Sequence, residues 1–303
     1  MTTDPSNIEA TEPPSGPGAL FRTFDFRARK RFGQHFLVDA QILDEIVTLA
    51  DIRSEDRVLE IGPGCGTLTL TLLQRGAAVD AIEIDRDAVS FLEQQLIPHF
   101  PLQVHSGSAL NINVGEILES TPLPWKVVAN LPYNVGTKIL FRLFEERSHI
   151  EEMTLMFQRE VADRLVATVG DSEYGALSLM AQLYSDVHRA MTLPPSAFVP
   201  APKVNSAVVQ FRLLSASRIE DDVHRRAFCQ IVRAAFQARR KTLANGLKIV
   251  GCDKGLVEKT LATLGLDEKI RPQRVGFEQF SELARVLLDA QELATSSDNA
   301  PPQ

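Results

Sequence analysis

Apolar positions along this chain fall into short runs, with helically spaced stretches between them. Arg57–Ile61 (RVLEI), Val79–Ile84, Leu102–His105, Lys126–Asn130 (KVVAN) and Met153–Phe157 read as buried strands bounded by turn residues. Thr67–Arg75, about Arg86–Ile97 and a stretch through Ile139–Phe144 read as helices. Strand alternating with helix predicts a mostly parallel sheet covered by helices on both faces. After about Leu214 only helical spacing remains. Phe228, Ile231, Val232 and Ala235 form an apolar stripe, and Arg226, Arg233 and Arg240 share another face. Lys254–Leu264 and Phe277–Ala290 are further helices. The ends are polar and rich in Pro or Gly. The predicted organisation is a disordered tail over 1–22, an α/β domain over 23–214, a smaller all-α domain over 215–292 and a second tail over 293–303.

Composition excludes several classes. Hydrophobic content of 44% and charged content of 23% are those of an ordinary globular chain. No apolar run reaches the roughly 18 residues of a membrane span, and the start lacks a signal peptide's basic and apolar regions. The three cysteines, Cys65, Cys229 and Cys252, are far apart. Neither a disulfide framework nor a metal site is expected, and a reducing cytoplasm fits. The net charge of −7 argues against a nucleic-acid partner until its distribution is read. From Val223 to Lys248 there are seven cations and no Asp or Glu, and Arg27, Arg29, Lys30 and Arg31 form a second cluster. A basic face on an acidic protein is therefore available to phosphates. The Arg239-Arg240-Lys241 run reads either as part of that face or as a solvated surface.

The segment Leu59–Thr67 (LEIGPGCGT) joins the first strand to the first helix, where glycines let the backbone turn sharply and approach a ligand. Glu83 closes the second strand 17 residues after Gly66, placed to accept from both hydroxyls of a ribose. A dinucleotide fold wants G-x-G-x-x-G, but Thr67 stands where the third glycine falls. The spacing G-x-G-x-G is that of methyltransferases, whose cofactor has no pyrophosphate to cradle. The fold class is thus α/β, a Rossmann-like class I methyltransferase sheet plus a smaller all-α C-terminal domain. A merely tight turn is the plainer reading. Asp85 reads equally as a helix cap or a ligand.

Asn130-Leu131-Pro132-Tyr133 follows the fourth strand, at the carboxyl edge where such sheets bind ligands. The residue types suit an exocyclic adenine amine, a poor nucleophile because its lone pair is delocalised. The Asn130 side-chain oxygen and the Leu131 carbonyl can accept from its two hydrogens, favouring a pyramidal nitrogen. Pro132 fixes the turn and Tyr133 offers a face for the base. A proline turn with a core tyrosine is the alternative.

At these motifs the chain resembles the dimethyladenosine transferases of small-subunit rRNA. The resemblance runs from about Arg27 to Leu288 and includes RKRFGQHFL at Arg29–Leu37, QREVA at Gln158–Ala162 and YGALS at Tyr174–Ser178. It continues through PPSAF at Pro194–Phe198, PKVNSAV at Pro202–Val208 and AFQARRKTL at Ala235–Leu243. It implies transfer of methyl groups from S-adenosylmethionine to two adjacent adenines near the 3′ end of small-subunit (16S) rRNA, within an assembling subunit. The expected protein is a cytoplasmic monomer that binds no membrane. His35, Leu37, Gly62, Gly64, Glu83, Ser108 and Asn130 are the implied cofactor residues, and Asn130 to Tyr133 the catalytic ones. Where the family commonly has Asn and Asp, this chain has His35 and Ser108. His35 is expected as a wall of the cofactor site and Trp125 as packing. Phe198 is expected as the second wall of the base pocket, against a plainer reading as core. Arg226, Arg233, Arg239, Arg240 and Lys241 are the expected RNA contacts. A large-subunit rRNA adenine methyltransferase of the antibiotic-resistance type, a non-catalytic ribosome-assembly factor and a nicotinamide-dependent oxidoreductase are the rival functions.

Overall fold

The computed structural model describes residues 12–24, 34–121, 124–237, 240–249 and 251–298, with side chains to 290. The basic cluster from Arg27 to Arg31, and Arg239, lie outside the described residues. Nine strands and twelve α-helices follow one another among the described residues. Helix α1 (Pro17–Thr23) and the short β1 (Phe36–Leu37) precede α2 (Ala40–Leu49). The alternating part runs β2 (Arg57–Ile61), α3 (Thr67–Gln74), β3 (Ala78–Glu83), α4 (Arg86–Gln95), β4 (Leu102–Ser106), α5 (Val114–Leu118), β5 (Trp125–Asn130), α6 (Gly136–Glu145) and β6 (Ile150–Gln158). Then come α7 (Arg159–Val166), α8 (Ala176–Tyr184), β7 (Ser185–Leu193), β8 (Phe198–Val199) and β9 (Ser206–Leu213). The chain closes with α9 (Asp222–Gln237), α10 (Leu243–Lys248), α11 (Lys254–Thr263) and α12 (Phe277–Asp298). None of these helices is long and apolar enough to cross a membrane.

Seven strands form one sheet in the order β4-β3-β2-β5-β6-β9-β7. Pairings β4–β3, β3–β2, β2–β5 and β5–β6 are parallel, so the predicted α/β architecture stands. From β2 the chain steps outward to β3 and β4, then returns to β5 on the other side. That reversal opens a crevice at the carboxyl ends of β2 and β5, the place where open α/β sheets receive ligands. β1 pairs antiparallel with β8 in a separate two-stranded sheet.

The chain divides into two compact units: Met1–Arg159 with Ala190–Gln210, and Glu160–Arg189 with Phe211–Gln303. The chain thus changes unit three times, not once near 214. Helices α7 and α8 belong with the C-terminal helices because α8 packs on α9. There the Tyr174 hydroxyl donates to the Val275 carbonyl at 3.0 Å, and its ring meets Phe236 edge-on at 6.0 Å.

Two expectations about the ends are corrected. Residues 17–23 form α1, with Pro17 in its first turn, where the missing N–H costs nothing. Leu20 is 1% exposed. The proline and glycine content hid one buried turn of helix. At the other end α12 continues to Asp298, past the expected start of a tail at 293. Extending a helix already nucleated by packing requires little further stabilisation. Trp125 packs as expected, fully buried, with its indole N–H donating to the Leu118 carbonyl at 2.9 Å.

Candidate active site

After β2 the backbone turns through Gly62, Gly64 and Gly66, whose φ angles are 70°, 56° and 79°. A side chain is strained in that region, and at two of these positions there is no room for one. A methyl carbon on Gly64 would stand 2.4 Å from the Phe36 ring, and one on Gly66 2.5 Å from Leu92. The Thr67 hydroxyl, first in α3, donates to the Leu37 carbonyl at 2.7 Å and ties the turn to β1.

Glu83 ends β3 and is buried. Its Oε2 accepts from the Gly64 amide at 2.9 Å and its Oε1 from the Asp85 amide at 2.7 Å. Burial raises its pKa above the usual carboxylate range, against the pull of these two bonds. Asp85 is the N-cap of α4, accepting from the Asp87 amide at 3.2 Å.

Asn130 is the last residue of β5. Its Nδ2 donates to the His35 carbonyl at 2.9 Å, which leaves Oδ1 as the acceptor of that side chain. The Pro132 carbonyl accepts from the Gly136 amide at 2.8 Å as the chain turns into α6. The Tyr133 hydroxyl shares a 2.5 Å hydrogen bond with Ser206, and burial raises its pKa against the lowering pull of that bond, so it is neutral at physiological pH. The His35 ring stacks on Tyr133, with centroids 5.5 Å apart and planes at 26°. His35 Nδ1 lies 2.7 Å from the Pro200 carbonyl, an acceptor only, so Nδ1 carries the proton.

These groups line one cavity of about 300 Å³. It brings together His35, Leu37, Gly62, Gly64, Glu83 and Ser108 with Asn130 to Tyr133. Ser108 is half-buried and its hydroxyl accepts from the Leu110 amide at 3.3 Å. Phe198 is not among the lining residues. It is 2% exposed, paired with Leu37 across β8 and β1, and packs in the same hydrophobic cluster. The plainer reading, a core residue, is the correct one, because the β8 pairing turns this aromatic inward.

Glu60 is the residue that sequence reasoning missed. It is 2% exposed, lines the cavity, and its Oε2 has no protein partner. Burial pushes its pKa up to about 8, against a lowering pull from the neighbouring Thr69 hydroxyl and with the Glu83 charge adding. The available signal was an acid inside an apolar strand one residue before the glycine turn. Ser206 and Pro200, which hold Tyr133 and His35, carried no local signal, because their role exists only once the chain has folded.

In the second unit Arg226 and Arg233 are exposed on α9, and Arg240 and Lys241 are exposed beyond it. The expected single stripe is corrected: α9 ends at Gln237, so Arg240 does not continue the line of Arg226 and Arg233. The chain restarts at Thr242, whose hydroxyl caps α10 by accepting from the Asn245 amide at 3.4 Å. Arg225 is engaged at home, by Asp222 and the carbonyls of Ile219 and Glu220.

Comparison with known proteins gives this geometry a context. The chain is 43% identical over 263 residues to a ribosomal RNA small subunit methyltransferase A from Syntrophotalea carbinolica, covering 86% of this chain and 97% of that one. To the protein of the same description from Magnetococcus marinus it is 41% identical over 257 residues, covering 84% and 90%. Among solved structures it is similar to a dimethyladenosine transferase from Plasmodium falciparum, with a TM-score of 0.71, 29% identity and coverage of 86% and 98%. It is also similar to the 23S rRNA methyltransferase ErmE, with a TM-score of 0.63, 26% identity and coverage of 83% and 99%. The model of the ribosomal RNA adenine dimethylases matches residues 25–287, and the chain belongs to that family.

Proposed function

We propose that this protein transfers methyl groups from S-adenosylmethionine to N6 of two adjacent adenines near the 3′ end of small-subunit rRNA, giving N6,N6-dimethyladenine in an assembling subunit. The observation that carries this reading is the Asn130 amide. Its nitrogen is fixed by the His35 carbonyl, so the oxygen is left as an acceptor in the same cavity as the glycine turn and Glu83.

The cavity suits the cofactor. Glu60 presents a buried carboxylate oxygen without a partner, which fits a cationic ligand group. Glu83 has capacity for ribose hydroxyls beyond the two amides it accepts from, and Ser108 offers a neutral acceptor for an adenine amine. When bound, the cofactor supplies a methyl carbon already activated on sulfur. The protein's part is then positioning. Asn130 Oδ1 and the Leu131 carbonyl accept from the target amine and favour its nucleophilic geometry. Tyr133, backed by His35, gives the base a face, and no strong general base is required. The exposed Arg226, Arg233, Arg240 and Lys241 are the proposed phosphate contacts, with Arg239 beside them in sequence. The reading assigns methyl transfer to the first unit and RNA contact to the second, in a cytoplasmic monomer.

The likeness to ErmE keeps a large-subunit substrate as the second reading. The higher identities to small-subunit methyltransferases favour the first. A non-catalytic assembly factor would have no use for an oriented Asn130 beside paired carboxylates. Mass spectrometry of rRNA from small and large subunits lacking the modification, each incubated with this protein and S-adenosylmethionine, tests the proposal. Two adjacent dimethylated adenines are expected. Methylation only of large-subunit rRNA, or none, overturns it.

A further inference from the structure

Helix α1 precedes the span matched by the family, residues 25–287, yet it is built into the core. Leu20, 1% exposed, packs in the cluster that holds Leu68, Leu92 and Leu96, and its Cδ2 would lie 3.5 Å from a methyl carbon on Gly66. The rings of Phe21 and Phe24 meet Phe36 at 6.4 Å and 5.8 Å, and Phe24 also meets Phe91 of α4 at 4.8 Å. Phe36 in turn lies against Gly64, with no space for a side chain between them. Gly64 donates its amide to Glu83. A continuous line of contact thus runs from α1 through Phe36 and Gly64 to Glu83.

We propose that Leu20, Phe21 and Phe24 are positioning residues for the cofactor: Phe21 and Phe24 press Phe36 onto Gly64, Leu20 packs beside Gly66, and together they hold the glycine turn in its left-handed form. This rests on the cofactor reading above. Glycine has more backbone freedom to lose than any other residue, and this turn has three of them at positive φ. Gly64 cannot contribute side-chain packing to its own conformation, so the wall must come from elsewhere. Loosening that wall removes no contact to the cofactor. It lowers the fraction of molecules with a competent turn, and apparent affinity falls by that fraction. Turnover at saturating cofactor is unchanged, because the bound state is the same. A helix that merely covers the apolar backs of α3 and α4 would lower stability and leave affinity alone.

The test is calorimetric titration of the full chain with S-adenosylmethionine, alongside thermal unfolding. Leu20→Ala and Phe24→Ala are compared with Leu261→Ala, a buried α11 position in the second unit, as a control for reduced stability. The first two are expected to raise Kd about fivefold or more while kcat at saturating cofactor holds. Leu20→Met should restore affinity, and the Leu261→Ala control should lower Tm with Kd unmoved. Unchanged Kd in Leu20→Ala and Phe24→Ala, with Tm lowered as in the control, overturns the proposal. Should an alanine variant fail to fold, Phe24→Leu removes the ring that meets Phe36 while leaving an apolar side chain in place, so a raised Kd is expected there too and an unchanged one overturns the proposal. Failure of the wild-type chain to bind the cofactor refutes the proposed function instead.

Discussion

Among the described residues of the first unit four carboxylates are buried: Glu60, Asp80, Glu83 and Asp85. In the second, the buried polar side chains among the described residues are the hydroxyls of Ser178, Ser185, Ser217 and Thr260, and most of its described cations stand in solvent. Removing a charge from water is costly unless something answers it. Asp80 is answered by Arg57 at 3.1 Å and His105 at 2.8 Å, Asp85 by the α4 backbone, and Glu83 by two amides. Glu60 alone keeps an unanswered oxygen, and it lies in the cavity. On the proposed reading the buried carboxylates face a small cationic ligand group, and the exposed cations face a large anionic one.

The sharpest way to separate the two roles is in the second unit. Arg233→Glu with Arg240→Glu should abolish co-sedimentation with small subunits and rRNA methylation, while cofactor affinity stays intact. For every phosphate that the variant no longer neutralises, the slope of log K against log salt should also fall by about 0.7 to 0.9. Normal co-sedimentation would send the docking surface elsewhere, with the Arg27–Arg31 cluster as the next candidate. Within the first unit, Asn130→Ala should reduce turnover on the order of 10²-fold with a smaller loss of cofactor binding, since its oxygen acts on the reacting amine. Near-normal turnover would remove Asn130 from the mechanism.

Glu83→Ala should weaken cofactor binding at least tenfold, each charge-assisted bond being worth about 1.5–3 kcal/mol at most. It should also lower stability, because the Gly64 and Asp85 amides lose their acceptor. Unchanged calorimetric affinity would free Glu83 from the ribose. Glu60 gives a pH signature. With its pKa up to about 8, it is mostly protonated at pH 7 in the free protein. A cationic ligand group needs it ionised, so binding should release a proton and tighten as pH rises toward 8, by at most about tenfold per unit. Glu60→Gln should flatten that dependence. It should also lift stability above pH 4.5, by a margin that grows until about pH 8 and then holds, because the unfolded carboxyl ionises over that range while the folded one resists. A flat profile in the wild-type chain would place the cation elsewhere. The smallest change is Ser108→Asp, which should tighten cofactor binding modestly through a charged acceptor. Weaker binding would mean that the adenine is held by other groups.

Strands β2 to β6 were legible within a few residues of their ends because each is a short apolar run beside a turn signal. The glycine turn, Glu83 and the Asn130–Tyr133 segment were legible because each is local and falls at a strand end. β7 was not: its residues are half-buried or exposed along most of their length, without clean alternation. Phe198 was misread for a related reason. Its direction is set by pairing with Leu37, 161 positions away in the chain, which no local pattern encodes. The membership of α7 and α8 in the second unit, the break between α9 and α10, and the wall that α1 provides are likewise products of packing.

Cys65 lies inside the glycine turn, fully buried, and is not among the residues that line the cavity. Given in-line access, a thiolate attacks a sulfonium methyl group far more readily than an adenine amine or a neutral thiol does. Burial pushes the Cys65 thiol up to about 12, leaving it protonated and withdrawn at any pH at which the protein works. The same packing that shapes the turn therefore keeps this thiol protonated and out of reach of the cavity.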